Sequence, residues 1–381
     1  MKILIALQFL SPKFGGTVTA VYNLSKELSK NGHNVTIITT DFEYDKDYAD
    51  QLTKKGVKIV KFKCILNIAS FLYTPSIKIW LDTHIANYDI IHLHNFRSYQ
   101  NAMIHKYARK YNVPYILQAH GSLPLIFEKI GLKKLYDFFW GKKLLNDASR
   151  VLAVSNVELK QYLSFGVPAE KIEIIPNIID VERFNNIILP GQFKNEYEIK
   201  SRNMILFLGR IHKIKGLDFL INAFKQILDD INDVSLVIVG PDDGYREKLE
   251  KDVESLGIKE NVVFIEYINN VQNAYFDADI LVYPAEYEIF GLVPFEAILC
   301  RTLVIVSDDC GCGEIIKKSD SGFLIKYGDV DELSNKMINL LMYPEKGKTK
   351  IENGIRYINE NLNSTIIFKK IESIYSNANN Q

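Results

Sequence analysis

The sequence carries no net charge: 46 basic side chains are balanced by 46 acidic ones over 381 residues. A nucleic-acid binder needs a basic excess to displace counterions, so that class is set aside. No apolar run reaches the roughly 18–20 residues that a bilayer-spanning helix requires. The opening MKILIALQFLSPKFGG is apolar too briefly for a signal peptide, contains Gln8, and has no small-residue cleavage pattern. It reads as a first β-strand. Cysteine is scarce, and Cys64, Cys300, Cys310 and Cys312 form no disulfide framework, which fits a reduced, cytoplasmic setting. Cys310-Gly-Cys312 lacks a second pair at ligand spacing and reads as loop packing rather than half a metal site. The glycine fingerprint of dinucleotide enzymes is missing as well. The first strand is followed by Gly15-Gly16-Thr-Val-Thr-Ala, which counts against a nicotinamide dehydrogenase.

What is present is alternation. Short buried strands recur at KILIAL, NVTIITT, VKIVKF (57–62), DIIHLH (89–94), PYILQAH (114–120), RVLAVS (150–155) and IEIIPN (172–177). Helical stretches lie between most of them, so parallel sheets covered on both faces are expected. Residues 184–202, polar with a Pro-Gly, break the pattern and read as a linker between domains at 1–183 and 203–361. After it the alternation restarts with MILFLG, SLVIVG, NVVFIEY, DILVYP, TLVIVS and GFLIKY. Leu217, Leu220, Ile221, Phe224, Ile227 and Leu228 mark one face of the helix after the first of these. The last stretch, 362–381, reads as a helix packing back on the first domain. The fold class is therefore α/β, two doubly wound, Rossmann-like parallel-sheet domains facing one cleft.

Such sheets bind ligands beyond the carboxyl ends of their strands, so residues there are the functional candidates. Gly15 and Gly16 turn the chain from the first strand into a helix, either as a tight turn with no ligand or as backbone that a ligand can approach closely. His120 ends a strand and can donate or accept a hydrogen bond at a reacting sugar. His92 and His94 alternate, hence share one sheet face; two ligands alone make a weak case for a metal, which leaves His94 as a residue that can line the cleft. Arg210 and Lys215 flank a loop leading into a helix near Gly216, a cradle suited to a diphosphate. In EYEIFGLVPFEA (286–297), Pro294 suits the first turn of a helix starting near Gly291 or Leu292. Glu288 then lies on the preceding loop and Glu296 inside the helix. The two glutamates can accept from sugar and ribose hydroxyls, and the amides of Phe290, Gly291 and Leu292 can meet phosphate between them.

The same segment resembles the E-x7-E signature of retaining glycosyltransferases of family 4, which have the GT-B architecture. FGGTVTAVYNL, QAHGS, VLAVSNVE, IEIIPNIIDVERF, GRIHKIKGLDFLINAF, VGPDDGYREKLE and CGCGEIIKKSDSGFLI each resemble a family segment, in family order. The resemblance implies that Arg210 and Lys215 bind the donor diphosphate, Glu288 the transferred sugar and Glu296 the ribose. His120 would stand at the reaction centre and Gly15-Gly16 near donor and acceptor. It implies a nucleotide-sugar co-substrate, a glycan or lipid-linked acceptor, and neither catalytic metal nor other cofactor; Asp242-Asp243 reads as a turn. Ile178 stands where many relatives carry glycine, a small change at the interdomain turn. Residues 123–145 mix aromatics with Lys129, Lys133, Lys134, Lys142 and Lys143; the segment suits either contact with an anionic membrane on its cytoplasmic face or interior packing with solvated lysines, since at 100° per residue the lysines do not gather on one side. The competing classes are a sugar-nucleotide epimerase or hydrolase on this architecture and a non-catalytic nucleotide-sugar-binding subunit.

Overall fold

Runs that are apolar on both sheet faces need helices over each side, and both halves of the chain are built that way. The computed structural model describes residues 1–68, 71–125, 129–184 and 189–379. The chain divides into two compact units, one of Met1–Ile178 with Ser364–Gln381, the other of Ile179–Asn363.

The first unit contains β1 (Lys2–Ala6), β2 (Asn34–Thr40), β3 (Lys58–Phe62), β4 (Leu66–Ile68), β5 (Phe71–Tyr73), β6 (Ile90–His94), β7 (Tyr115–Gln118), β8 (Arg150–Ala153) and β9 (Ile172–Ile174). Seven of these form a sheet in the order β3-β2-β1-β6-β7-β8-β9, while β4 and β5 make a separate antiparallel pair that the sequence patterning did not announce. Along β1, alternate residues serve opposite cores. Leu4 and Ala6 join one cluster with Ile91 and Leu93, whereas Ile3 and Ile5 join the other with Ile37 and Ile90. The helix Ser364–Asn379 belongs to this second cluster through Ile367, Phe368, Ile371 and Tyr375.

The second unit contains β10 (Asn203–Leu208), β11 (Val234–Val239), β12 (Val262–Ile265), β13 (Ile280–Tyr283), β14 (Leu303–Ser307) and β15 (Phe323–Ile325). Its sheet runs β12-β11-β10-β13-β14-β15, parallel at each described pairing. The helix Leu217–Ile227 buries Leu217, Leu220, Ile221, Phe224 and Ile227, the face expected from their spacing. In each sheet the order reverses once, between β1 and β6 and between β10 and β13. A crevice opens at such a point because the connections leave in opposite directions.

The join falls elsewhere than the expected linker. Ile178 is buried in the first unit's core, where its carbonyl accepts from Asn23 Nδ2 at 3.3 Å. The next residue, Ile179, donates its amide to the Leu362 carbonyl at 2.9 Å, within the second unit. The described part of 184–202 also folds onto that unit. Asp277 accepts from the amides of Gly191 (2.6 Å), Phe193 (2.8 Å) and Lys194 (3.0 Å), capping the short helix Gln192–Glu196, and Phe193 is buried. Its polar composition suggested a linker because an anchor supplied from some eighty residues away leaves no local trace.

Candidate active site

Lys215 reaches its position through glycine. Gly216 has φ +68°, and a Cβ there would lie 2.1 Å from the carbonyl oxygen of Pro284, so only glycine lets the loop after β10 press against the loop after β13. The Glu286 amide donates to the Ile214 carbonyl at 2.9 Å and ties the two loops. Lys215 Nζ then meets Glu288 Oε2 at 2.8 Å and Tyr283 Oη at 3.0 Å, while Tyr283 donates its own hydroxyl to the same Oε2 at 2.8 Å. Glu288 Oε1 accepts from the amides of Ile289 (3.0 Å) and Phe290 (3.3 Å). The helix Leu292–Leu299 begins after Gly291, which has φ +71°, and Pro294 lies in its first turn as its fixed φ favours.

The Phe290 amide is thus engaged by Glu288, which corrects the expectation that it stands ready for phosphate. Burial works to raise the Glu288 pKa, but the Lys215 charge and hydrogen bond, with Tyr283 and the Phe290 amide, hold it at about 2. It is a carboxylate at any working pH, able to accept hydrogen bonds and unable to act as an acid. Glu296 is half-buried and accepts from Tyr275 Oη at 2.9 Å; burial raises its pKa against the pull of Arg183 and Tyr275. Arg210 is more exposed and pairs with Asp243 at 2.5 Å. Asp242 caps the turn through the amides of Tyr245 and Arg246 at 3.0 Å each. Beneath the loop, the thiols of Cys310 and Cys312 are buried with their sulfurs 3.1 Å apart.

In the first unit, Gly15 (φ +72°) closes the loop that follows β1 and precedes the helix Gly16–Lys30. His120 follows β7 in the left-handed region at φ +50°, and Gly121 continues it at φ +76°. His120 Nε2 lies 2.9 Å from His94 Nδ1. His92 and His94 share a face, their ring centroids 4.0 Å apart. Burial pushes the His120 pKa down to about 3, so its imidazole is neutral. The Gly121 turn is pinned by the fully buried Glu158, which accepts from the amides of Gly121 (2.6 Å) and Val154 (2.9 Å). Burial lifts Glu158 to about 7 against those two hydrogen bonds.

Sequence reasoning missed Tyr283 and Glu158. Tyr283 ends β13 five residues before Glu288, a position that the strand-end rule covers; Glu158 stands in the quoted VLAVSNVE but in a helix, outside that rule. Among the described residues, no group of three or more His, Cys, Asp or Glu is arranged to hold a metal.

Glu288 and Glu158 titrate with opposite sign. Glu288 falls from its ordinary 4.5 to about 2, so it contributes stability above pH 4.5 that is lost as pH falls towards 2. Glu158 rises from 4.5 to about 7, so its own contribution to stability is present below pH 4.5 and is lost as pH climbs to 7. Each effect is on the order of 3 kcal/mol. Held neutral by burial, His92, His94 and His120 make stability rise with pH below 6.5, so thermal stability is expected to rise more steeply between pH 4.5 and 7 in Glu158→Gln than in wild type, and to fall less on the acid side in Glu288→Gln. An unchanged slope in either variant would refute that assignment.

Two family models follow one another along the chain: Glycosyltransferase Family 4 matches residues 14–183, and Glycosyl transferases group 1 matches residues 191–357. The chain belongs to the GT-B glycosyltransferases. An uncharacterised glycosyltransferase of Methanocaldococcus jannaschii is 28% identical to the transferase over 355 residues, 88% of this chain and 87% of that one. The N-acetyl-alpha-D-glucosaminyl L-malate synthase of Bacillus anthracis is 25% identical, covering 96% and 94%. Among solved structures, Anabaena HepE in complex with UDP-glucose superposes with a TM-score of 0.82 at 20% identity, covering 99% of this chain and 100% of that one. That likeness is one of fold.

Proposed function

We propose that the transferase moves a hexosyl or N-acetylhexosaminyl group from a nucleoside diphosphate sugar to a glycan or lipid-linked glycan, keeping the anomeric configuration and using no metal. A UDP-sugar is favoured over GDP-mannose, in keeping with the UDP-glucose bound by HepE. The observation that carries the reading is the Lys215–Glu288–Tyr283 cluster at the sheet's switch point, a half-buried carboxylate held ionised beside a cation. Lys215 and Arg210 would take the diphosphate, Glu288 the sugar hydroxyls and Glu296 the ribose; Gly291 and Leu292 amides would face phosphate. His120 and the Gly15-Gly16 turn would serve the transferred sugar and the acceptor. In the step, the bond from C1 to the diphosphate oxygen breaks and a bond to the acceptor oxygen forms on the same face. The acceptor proton passes to the departing diphosphate, whose growing charge Lys215 and Arg210 stabilise.

The acceptor-side proposal includes an anionic membrane at the cytoplasmic face. Leu132, Leu135, Phe138 and Phe139 are each more than half exposed, and Lys129, Lys133, Lys134, Lys142 and Lys143 are interspersed with them. Apolar side chains can enter the headgroup layer while lysines meet lipid phosphate. Among the described residues no helix is long and apolar enough to cross a membrane, so contact would be peripheral.

The test is a donor screen with purified protein, a membrane-lipid extract and sedimenting vesicles with or without anionic lipid. Labelled lipid or glycan from one donor, undiminished by chelator and with the new anomeric centre retained, is the expected result. Co-sedimentation with anionic vesicles alone, lost in Phe138→Ser/Phe139→Ser, is expected of the membrane contact. Nucleotide release without a glycosylated product would point to a hydrolase, an unchanged donor to a binding subunit.

A further inference from the structure

Because a neutral imidazole carries one proton on either nitrogen, its free nitrogen is a donor in one tautomer and an acceptor in the other. For His120 that choice decides what a ligand meets. We infer that His94 donates Nδ1–H to His120 Nε2 and so fixes His120 as the tautomer with its proton on Nδ1, presenting a hydrogen-bond donor. His94 would be a positioning residue acting through His120, and this rests on the role proposed for His120 above.

The contact is geometric. His94 Nδ1 and His120 Nε2 are 2.9 Å apart, with rings nearly parallel at 20° and centroids 5.2 Å apart. One nitrogen must donate and the other accept. His94 is 2% exposed, and its Nε2 has no hydrogen-bond partner among the described residues. A buried N–H without an acceptor is rarer than a buried lone pair without a donor, so the His94 proton belongs on Nδ1. Burial, then His92 and His120, push the His94 pKa well below 6.5, which keeps a second proton off the ring. His120 then receives at Nε2 and keeps its single proton on Nδ1.

The surroundings hold both rings in this relation. His92 lies against His94 and is itself tied through Nδ1 to Tyr375 Oη at 2.8 Å, so the terminal helix buttresses the stack. On the other side, Glu158 holds the Gly121 amide and with it the left-handed turn that aims His120. A neutral N–H donor can hold a sugar hydroxyl or a phosphate oxygen and takes no proton. On this inference His120 serves as a hydrogen-bond donor and the acceptor's proton goes elsewhere.

Ring-15N histidine NMR of the whole protein reads the tautomer directly, with His120 assigned by its loss in His120→Gln. Wild-type protein is expected to show His120 protonated on Nδ1. His94→Phe, which removes the donor, should give a mixture of tautomers and a fall in kcat of about ten-fold at little-changed donor KM, the weight of about one hydrogen bond. His94→Asn, whose amide N–H can replace Nδ1–H, should restore the tautomer and much of kcat. Protonation on Nε2 in wild-type protein would overturn the inference, as would an unchanged tautomer in His94→Phe. Should that variant fail to fold, the wild-type spectrum alone decides. The NMR readout needs no turnover, so it stands apart from failure of the donor screen.

Discussion

Lys215→Met is expected to lower sugar transfer by about 10²–10³-fold and to cost about 3–5 kcal/mol of stability. Glu288→Gln should do much the same, and the double variant should recover most of the stability and none of the activity. The two side chains are only 9% and 16% exposed, and their charges are 2.8 Å apart. Removing one partner strands the other in a poorly solvated place, whereas removing both takes away the desolvation cost along with the attraction. Tyr283 cannot substitute for either, since its hydroxyl already donates to Glu288 and accepts from Lys215. On the proposed roles catalysis has no such compensation, because the cation would serve the leaving diphosphate and the carboxylate the sugar. Initial transfer rates and denaturant unfolding of the four proteins form a double-mutant cycle. A double variant within ten-fold of wild-type activity would remove this pair from the mechanism.

Gly311→Ala is expected to reduce kcat/KM by about a hundred-fold, although the residue would touch no substrate. A Cβ at Gly311 would lie 1.7 Å from the Ile289 carbonyl oxygen, 2.2 Å from its carbon and 2.8 Å from the Phe290 nitrogen. All three are backbone atoms, so the loop must retreat rather than a side chain turn away. The Gly311 amide also donates to the Glu288 carbonyl at 2.8 Å, which binds the helix Gly311–Ser319 to the segment that moves. Retreat carries the amides of Ile289 and Phe290 away from the Glu288 carboxylate, and a displacement of about 1 Å at a reacting group can cost 10²-fold. The fold itself should lose about 1–3 kcal/mol, as for overpacking elsewhere. Rates and thermal unfolding measured on the same preparation separate the two effects. Wild-type transfer by a folded Gly311→Ala would mean that residues 288–290 do not hold the donor.

Much of this was legible along the chain. Apolar runs of strand length, alternating with helical stretches such as 217–227, specify doubly wound parallel sheets because a strand buried on both faces must be apolar throughout. Pro294 and Gly291 announced the start of their helix, since φ preferences belong to single residues. The strand-end rule brought forward His120, Lys215 and Glu288 because parallel sheets expose backbone and side chains at that edge. Tertiary structure decided the partners. That Lys215 is joined to Glu288 and Tyr283, that His120 meets His94, and that Glu158 closes on Gly121 depend on contacts made across separate strands and helices. The join at Ile178 and the capping of Gln192–Glu196 by Asp277 are of the same kind. Local sequence encodes propensity and periodicity. The charge state of a buried glutamate or the tautomer of a histidine depends on which distant residues folding brings within hydrogen-bond reach.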